Sequence, residues 1–335
     1  MARSDRVTRR AFLAKAALAQ ATLAGAASLG ARPARAQTAY PAKPVRVVVP
    51  YSAGGGADTI CRTLFGQLSK DLGQTFVVDN RGGGGGTIGA GAVAKSAPDG
   101  YTLLHDATAF AVNPALFPKL PYDPVRDFEP VFLAAELPLL LLVHPSVEAK
   151  TAADLIRLAK ASSDGINWAS AGNGSIQHLA LELFARTAGV KLNHIPYKGG
   201  AQALNDLVGG HIKFYFSNTA AATPFVKAGT VRAIAHTGKG QLQAFPDLPP
   251  LRDTLPGLEA YEWNGVFAPA RTPAEVISRL STALNAAIKV PEVTERLAAL
   301  NIDTRPNSPA EFAAFVRAET ERWGRLVREA DIKGE

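Results

Sequence analysis

The sequence predicts an α/β protein built as two lobes, and three observations carry that prediction. Short β-branched runs alternate with helical stretches, as where 45–49 leads into 58–72, the pattern of parallel strands covered by helices. A second set of the same kind begins after the apolar run 139–143 closes at His144-Pro145. One more strand, 264–268, arrives late, beyond a loop carrying Pro246, Pro249, Pro250 and Pro256.

In the first set, strand 45–49 feeds helix 58–72, strand 75–79 feeds helix 88–96, and strand 102–105 leads into a proline-punctuated segment. The second set runs helix 152–161, strand 167–170, helix 175–187, strand 194–197, helix 201–208, then strands 213–216 and 231–236. Helices follow near Pro273, Pro291 and Ser308. The last has an N-cap serine, Pro309 next to it and Glu311 at the capping-box position, a reciprocal arrangement that satisfies otherwise orphaned N–H groups. Cys61, the one cysteine, shares an apolar helix face with Ile60, Leu64 and Leu68. An intrachain disulfide is therefore excluded, and Cys61 reads as a small buried hydrophobe.

The start of the chain is expected to be an address. Thr8 to Lys15 contain the pair Arg9-Arg10 followed by Phe12-Leu13, the order of a twin-arginine export signal, and Ala34-Arg35-Ala36 has the small-x-small form of a cleavage site. The Ala-rich stretch between them is shorter than the about 20 apolar residues a membrane span requires. Residues 1–36 are thus expected to be removed after Ala36, leaving the protein in the periplasm. They hold seven of the 36 Lys and Arg residues and one of the 29 Asp and Glu residues, so the remainder is nearly neutral. With no basic stripe interleaved with aromatics, nucleic acid is excluded as a partner.

The loops that follow strands are rich in glycine and hydroxyls. Tyr51-Ser52-Ala53-Gly54-Gly55-Gly56-Ala57-Asp58 lies between a strand and a helix, where converging N–H groups and the helix dipole favour an anion. No lysine follows as a Walker loop would need, and Pro50 stands where a nucleophile elbow needs its first glycine. In the second set, Ser170-Ala171-Gly172-Asn173-Gly174-Ser175 opens the helix carrying His178, a second anion-accepting loop. Tyr197-Lys198-Gly199-Gly200 and Ser217-Asn218-Thr219 also follow strands, and ligands of open α/β sheets gather at the carboxyl ends of strands. The six histidines show no metal-ligand spacing. Gly84-Gly85-Gly86-Thr87-Ile88-Gly89 satisfies a dinucleotide fingerprint, with Asp106 about 20 residues on. It leaves an exported dinucleotide-dependent oxidoreductase as the rival reading, although Gly82 to Gly86 match by composition alone.

Several segments together resemble one family. PYSAGGGADT, the GTIGA and KSAPDGYTLL run, NPALFPKLPYDPVRDF, ASAGNGS, HIPYKGG, LNDLVGG and GVFAPARTP resemble the substrate-binding proteins of tripartite tricarboxylate transporters, the Bug-type receptors. The resemblance spans nearly all of 40–330. It implies a type II periplasmic-binding-protein fold: two α/β lobes joined by two crossover strands, here 139–143 and 263–268. The first lobe would then comprise 37–141 and 264–335, the second 142–263.

The resemblance further implies a monomeric receptor, without enzyme activity or cofactor, that passes a small organic carboxylate to membrane permease subunits. An orphan solute sensor of the same fold is the remaining alternative. Members hold the carboxylate through backbone amides, hydroxyls and waters. The positions expected to do so are Tyr51, Ser52, Gly54, Gly55, Gly56, Asp58, Asp106, Ala107 and Thr108 on one side. On the other they are Ser170, Asn173, Gly174, Ser175, His178, Tyr197, Gly199, Ser217 and Asn218. Two departures from the family pattern bear on the ligand. Asp106-Ala107-Thr108-Ala109-Phe110 replaces a more polar run, and Phe216-Ser217-Asn218 stands for Phe-Asp-Asn. Phe110 is therefore expected to give the pocket an apolar wall, and Asp106 either to attract an amino group or to lie out of reach. An aromatic or amphipathic acid would then be preferred to citrate.

Overall fold

The computed structural model describes residues 40–329 and 331–333; the expected export signal and cleavage site lie outside them. The strands are β1 (Val45–Val49), β2 (Phe76–Asn80), β3 (Thr102–Ala107), β4 (Phe128–Val143), β5 (Ile166–Ser170), β6 (Leu192–Pro196), β7 (Phe214–Asn218), β8 (Arg232–His236) and β9 (Tyr261–Pro269). The helices are α1 (Gly56–Leu72), α2 (Thr87–Ala94), α3 (Ala109–Leu116), α4 (Ala152–Ala161), α5 (Ile176–Ala188), α6 (Gly200–Val208), α7 (Thr219–Lys227), α8 (Ala274–Ala287), α9 (Pro291–Ala298) and α10 (Pro309–Glu329).

The strands follow the order β2-β1-β3-β9-β4-β7-β5-β6, with β8 also on β4. In the first lobe β1 lies parallel to β2 and β3, and in the second β5 lies parallel to β6 and β7. The strands that join the lobes run antiparallel to their neighbours. β4 extends over 16 residues and changes partner midway. Up to Pro138 it pairs with β9, and from Leu139 it pairs with β7. Its second half alternates: Leu139, Leu141 and Val143 enter one core cluster, Leu140 and Leu142 the other, as the two-residue period of a strand buried on both faces requires.

Thr237 fastens the two connections where they cross. Its Oγ1 accepts from the Leu139 amide at 2.9 Å and donates to the Ala260 carbonyl at 2.5 Å. Because Ala260 immediately precedes β9, one buried hydroxyl holds both crossovers in register.

The first lobe packs Val45, Val47 and Val49 under Ile60, Leu64 and Leu68 of α1 and Leu280 and Leu284 of α8. Cys61 is buried in the same layer, where loss of hydration pushes its thiol pKa well up. The second lobe centres on Trp168, Phe184 and Phe216. In α10, Phe312 joins a cluster with Val48 and Leu104, whereas Trp323 and Val327 join one that includes Val112 and Leu116 of α3. The expected cap of α10 is present, with the Ser308 amide donating to Glu311 Oε2 at 2.7 Å and the Glu311 amide to Ser308 Oγ at 3.2 Å. Among the described residues, no helix is long and apolar enough to cross a membrane.

Candidate functional site: a cleft ringed by helix N-termini

The strand-to-helix loops of both lobes face each other. A Cβ added to Gly199 would lie 2.7 Å from the Ser52 amide nitrogen, and one on Gly85 2.5 Å from the Asn173 carbonyl oxygen. These rims stand over a small cavity of about 30 Å³.

The cavity wall is made from the N-termini of five helices, each reached directly from a strand end. Gly55, Gly56 and Ala57 come from α1, Thr108 and Ala109 from α3, Ser175, Ile176 and Gln177 from α5, Gly200 from α6, and Asn218 from α7. Each N-terminus carries unpaired N–H groups and about half a positive charge. Their convergence makes an anion site without a cationic side chain. Tyr51, Ala107, Ala171 and Glu262 complete the wall.

Side chains behind the wall fix its shape. Asp58 accepts from the Gly54 amide and Arg62 Nε, each at 2.9 Å, and from Asn80 Nδ2 at 3.0 Å. Burial alone would raise this carboxyl, but the three donors outweigh it and hold the pKa below the ordinary carboxylate value. Ser175 Oγ accepts from the His178 amide at 3.3 Å, and Asn218 Oδ1 from the Ala221 amide at 2.9 Å, so both cap their helices. Thr108 Oγ1 accepts from the Trp263 amide of β9 at 3.1 Å.

Glu262 is the acidic side chain of the wall. It is buried, and it receives Gln177 Nε2 at 2.8 Å, Asn218 Nδ2 at 3.0 Å and Asn264 Nδ2 at 3.2 Å. Burial raises its pKa against the lowering effect of these donors.

Residues 60–332 match the family described as "Tripartite tricarboxylate transporter family receptor". The chain belongs to that family. It is 39% identical over 293 residues to the "UPF0065 protein in tcbD-tcbE intergenic region" of Pseudomonas sp. (strain P51), covering 87% of each chain. It is 36% identical over 306 residues to Protein BugT of Bordetella pertussis, covering 90% of this chain and 94% of BugT. Among solved structures it is similar to periplasmic binding protein BugD (TM-score 0.85, 34% identity, 88% of this chain and 100% of BugD). It is equally similar to R. palustris Rpa4515 with adipate (TM-score 0.85, 34% identity, 88% and 99%). MatC of Rhodopseudomonas palustris with bound malate follows (TM-score 0.82, 34% identity, 86% and 100%).

A tripartite tricarboxylate transporter receptor is a solute-binding protein and not an enzyme, so the oxidoreductase reading falls. In this receptor the glycine run packs against the opposite rim: Gly82 approaches the Lys198 carbonyl and Gly85 the Asn173 carbonyl.

Of the positions named from the sequence, Tyr51, Gly55, Gly56, Ala107, Thr108, Ser175 and Asn218 line the cavity of this receptor. Ser52, Asn173 and Gly199 meet at its rims. Gly54 and Asp58 brace the first loop through their mutual hydrogen bond. Ser170, Gly174 and His178 brace the second. The Gly174 amide donates to His178 Nδ1 at 3.3 Å, the His178 ring stacks on His194 at 3.8 Å, and Ser170 Oγ lies 2.5 Å from His194 Nε2. Burial and the neighbouring His178 push His194 down to about 3. Ser217 is buried off the wall, and the Tyr197 hydroxyl turns to Asp206 at 2.6 Å.

Asp106 lies behind Tyr51, whose hydroxyl donates to its Oδ1 at 2.8 Å, while Oδ2 is buried without a partner. Loss of hydration outweighs the Ala107 amide and Tyr51 bonds and pushes Asp106 up to about 7. Phe110 corrects the sequence reading. It is 1% exposed and packed among Phe267, Phe128 and Tyr122, so it forms core and not a pocket wall, because α3 turns that face inward. Gln177, Gly200 and Glu262 were missed. The signal for Glu262 was a lone acid beside Trp263 at the mouth of the late strand.

Proposed function

We propose that this receptor captures a small organic carboxylate in the periplasm by closing its two lobes and delivers it unaltered to membrane permease subunits of a tripartite tricarboxylate-type transporter. The observation that carries this reading is the convergence of five helix N-termini on one cleft. Hydrogen bonds to charged groups contribute about 1.5 to 3 kcal/mol each, so three or four such amides supply the roughly 8 kcal/mol of micromolar affinity. The adipate and malate bound to the two R. palustris neighbours favour the same ligand class. Export through the twin-arginine signal, cleavage after Ala36, and action as a monomer belong to the same proposal, as do lobes of 37–141 with 264–335 and of 142–263.

Native mass spectrometry of protein purified from the periplasmic fraction tests the reading. A co-purifying acid, displaced in calorimetry by an added carboxylate, is the expected result. Detection of turnover, or affinity for no carboxylate, overturns it.

A further inference from the structure

The cleft of this receptor is lined by one acidic side chain and no basic one, a poor match for a dianion. Its lining holds Glu262 but no lysine, arginine or histidine. Glu262 is 4% exposed, and the bonded partners of its carboxylate are the neutral amides of Gln177, Asn218 and Asn264. A second acid, Asp106, stands directly behind the lining residue Tyr51 with one oxygen unpartnered.

Helix N-termini that converge on a cleft are suited to receive carboxylates. Here one carboxylate is already built into the wall, on the crossover strand β9. A solute with two carboxylates would bring its second charge next to a like charge in a site from which water is excluded, where Coulomb repulsion is weakly screened. A solute with one carboxylate and one N–H-bearing group meets the opposite condition. Its carboxylate takes the helix N-termini, and its N–H group meets the one acidic side chain of the wall.

Resting on the receptor reading above, we propose that Glu262 sets the solute class: the cleft takes a carboxylate that also carries an ammonium or amide N–H, with that group against Glu262, and discriminates against plain dicarboxylates. Glu262 would thus be a specificity residue, and Gln177, Asn218 and Asn264 the groups that hold it in position.

Calorimetry on the intact protein with matched pairs tests this, each pair differing in one end group: succinate against 3-aminopropanoate, glutarate against 4-aminobutanoate, and adipate against 5-aminopentanoate, with the corresponding monoamides as a third arm. The N–H-bearing member of at least one pair is expected to bind tenfold or more tightly than its dicarboxylate, a difference of about 1.4 kcal/mol. Glu262→Gln is expected to erase or reverse that ratio. Equal or tighter binding of the dicarboxylate by the unaltered protein overturns the proposal while leaving a carboxylate receptor intact, and needs no variant to be read. An unchanged ratio in a folded Glu262→Gln protein also overturns it, because another group would then select. Binding of no member of any pair overturns this inference, while the receptor reading stands or falls on the native mass spectrometry above.

Discussion

Asn218 Nδ2 donates to Glu262 Oε2 at 3.0 Å while Oδ1 of the same side chain accepts from the Ala221 amide at 2.9 Å. One amide therefore caps α7 and holds the buried acid of β9. Asn218→Ala removes both bonds. Loss of an N-cap costs about 1 kcal/mol, and a buried charged acceptor deprived of a donor costs about 1 to 3 kcal/mol more. Denaturant unfolding should show a loss of about 2 to 4 kcal/mol, with Asn218→Ser recovering the capping part alone. Stability equal to that of the unaltered protein would show that the two bonds carry nothing.

Gly199 is extended, with φ 166° and ψ 162°, so alanine fits its backbone without strain. Only the opposite rim objects, since the added Cβ would approach the Ser52 amide nitrogen to 2.7 Å. Gly199→Ala should therefore leave the unfolding midpoint near its original value and weaken solute binding at least tenfold. Solution scattering with saturating solute should report a larger radius of gyration than for the unaltered complex. Unchanged affinity would mean that the closed contact between these rims is dispensable.

The strand-and-helix alternation was legible because it is local. The β1-α1 pair, the Ser308 cap and the glycine loops at strand ends all announce themselves within a few residues. Two elements did not. Up to Pro138, β4 mixes Glu129, Pro130 and Glu136 with apolar positions, and only the pairing with β9 makes that stretch a strand. Helix α3 contains Pro114, which reads as a breaker. Its ring faces solvent, and the burial of Val112, Asn113 and Leu116 around it holds the helical turn together. The site followed the same division. Loop residues such as Gly55, Ser175 and Asn218 were found from their place after strands, whereas Gln177 and Glu262 meet across 85 residues of chain, a contact that no local pattern encodes.

Phe110 shows the cost of reading composition as position. Its ring stacks on Phe267 at 4.2 Å and meets Phe128 edge-on at 5.2 Å. Phe110→Ala should lower stability by about 3 to 5 kcal/mol, the usual range for emptying an aromatic site in a core. Phe110→Leu keeps more of the volume and should keep the solute preference unchanged in calorimetry. A changed preference in the leucine variant would return Phe110 to the binding wall.

Asp106 gives the receptor a pH signature whose sign is opposite to that of a salt-bridged acid. Burial pushes its pKa up from the ordinary 3.8 to about 7. Between those values the folded protein holds a proton that the unfolded chain has released, so stability falls as pH rises. The contribution is fully present below about pH 4, is lost progressively towards pH 7, and stays constant above. Each tenfold difference in proton affinity between the folded and unfolded chain is worth about 1.4 kcal/mol, so the loss is on the order of a few kcal/mol. Asp106→Asn does not ionise, and it keeps an oxygen for the Tyr51 hydroxyl and the Ala107 amide. The melting temperature of the variant should therefore gain on that of the unaltered protein from pH 5 to pH 7.5 and then run parallel to it. All other titrating groups are common to both proteins and cancel in the difference. A gap that stays constant across this range would show that Asp106 is ionised throughout, with a partner for its second oxygen.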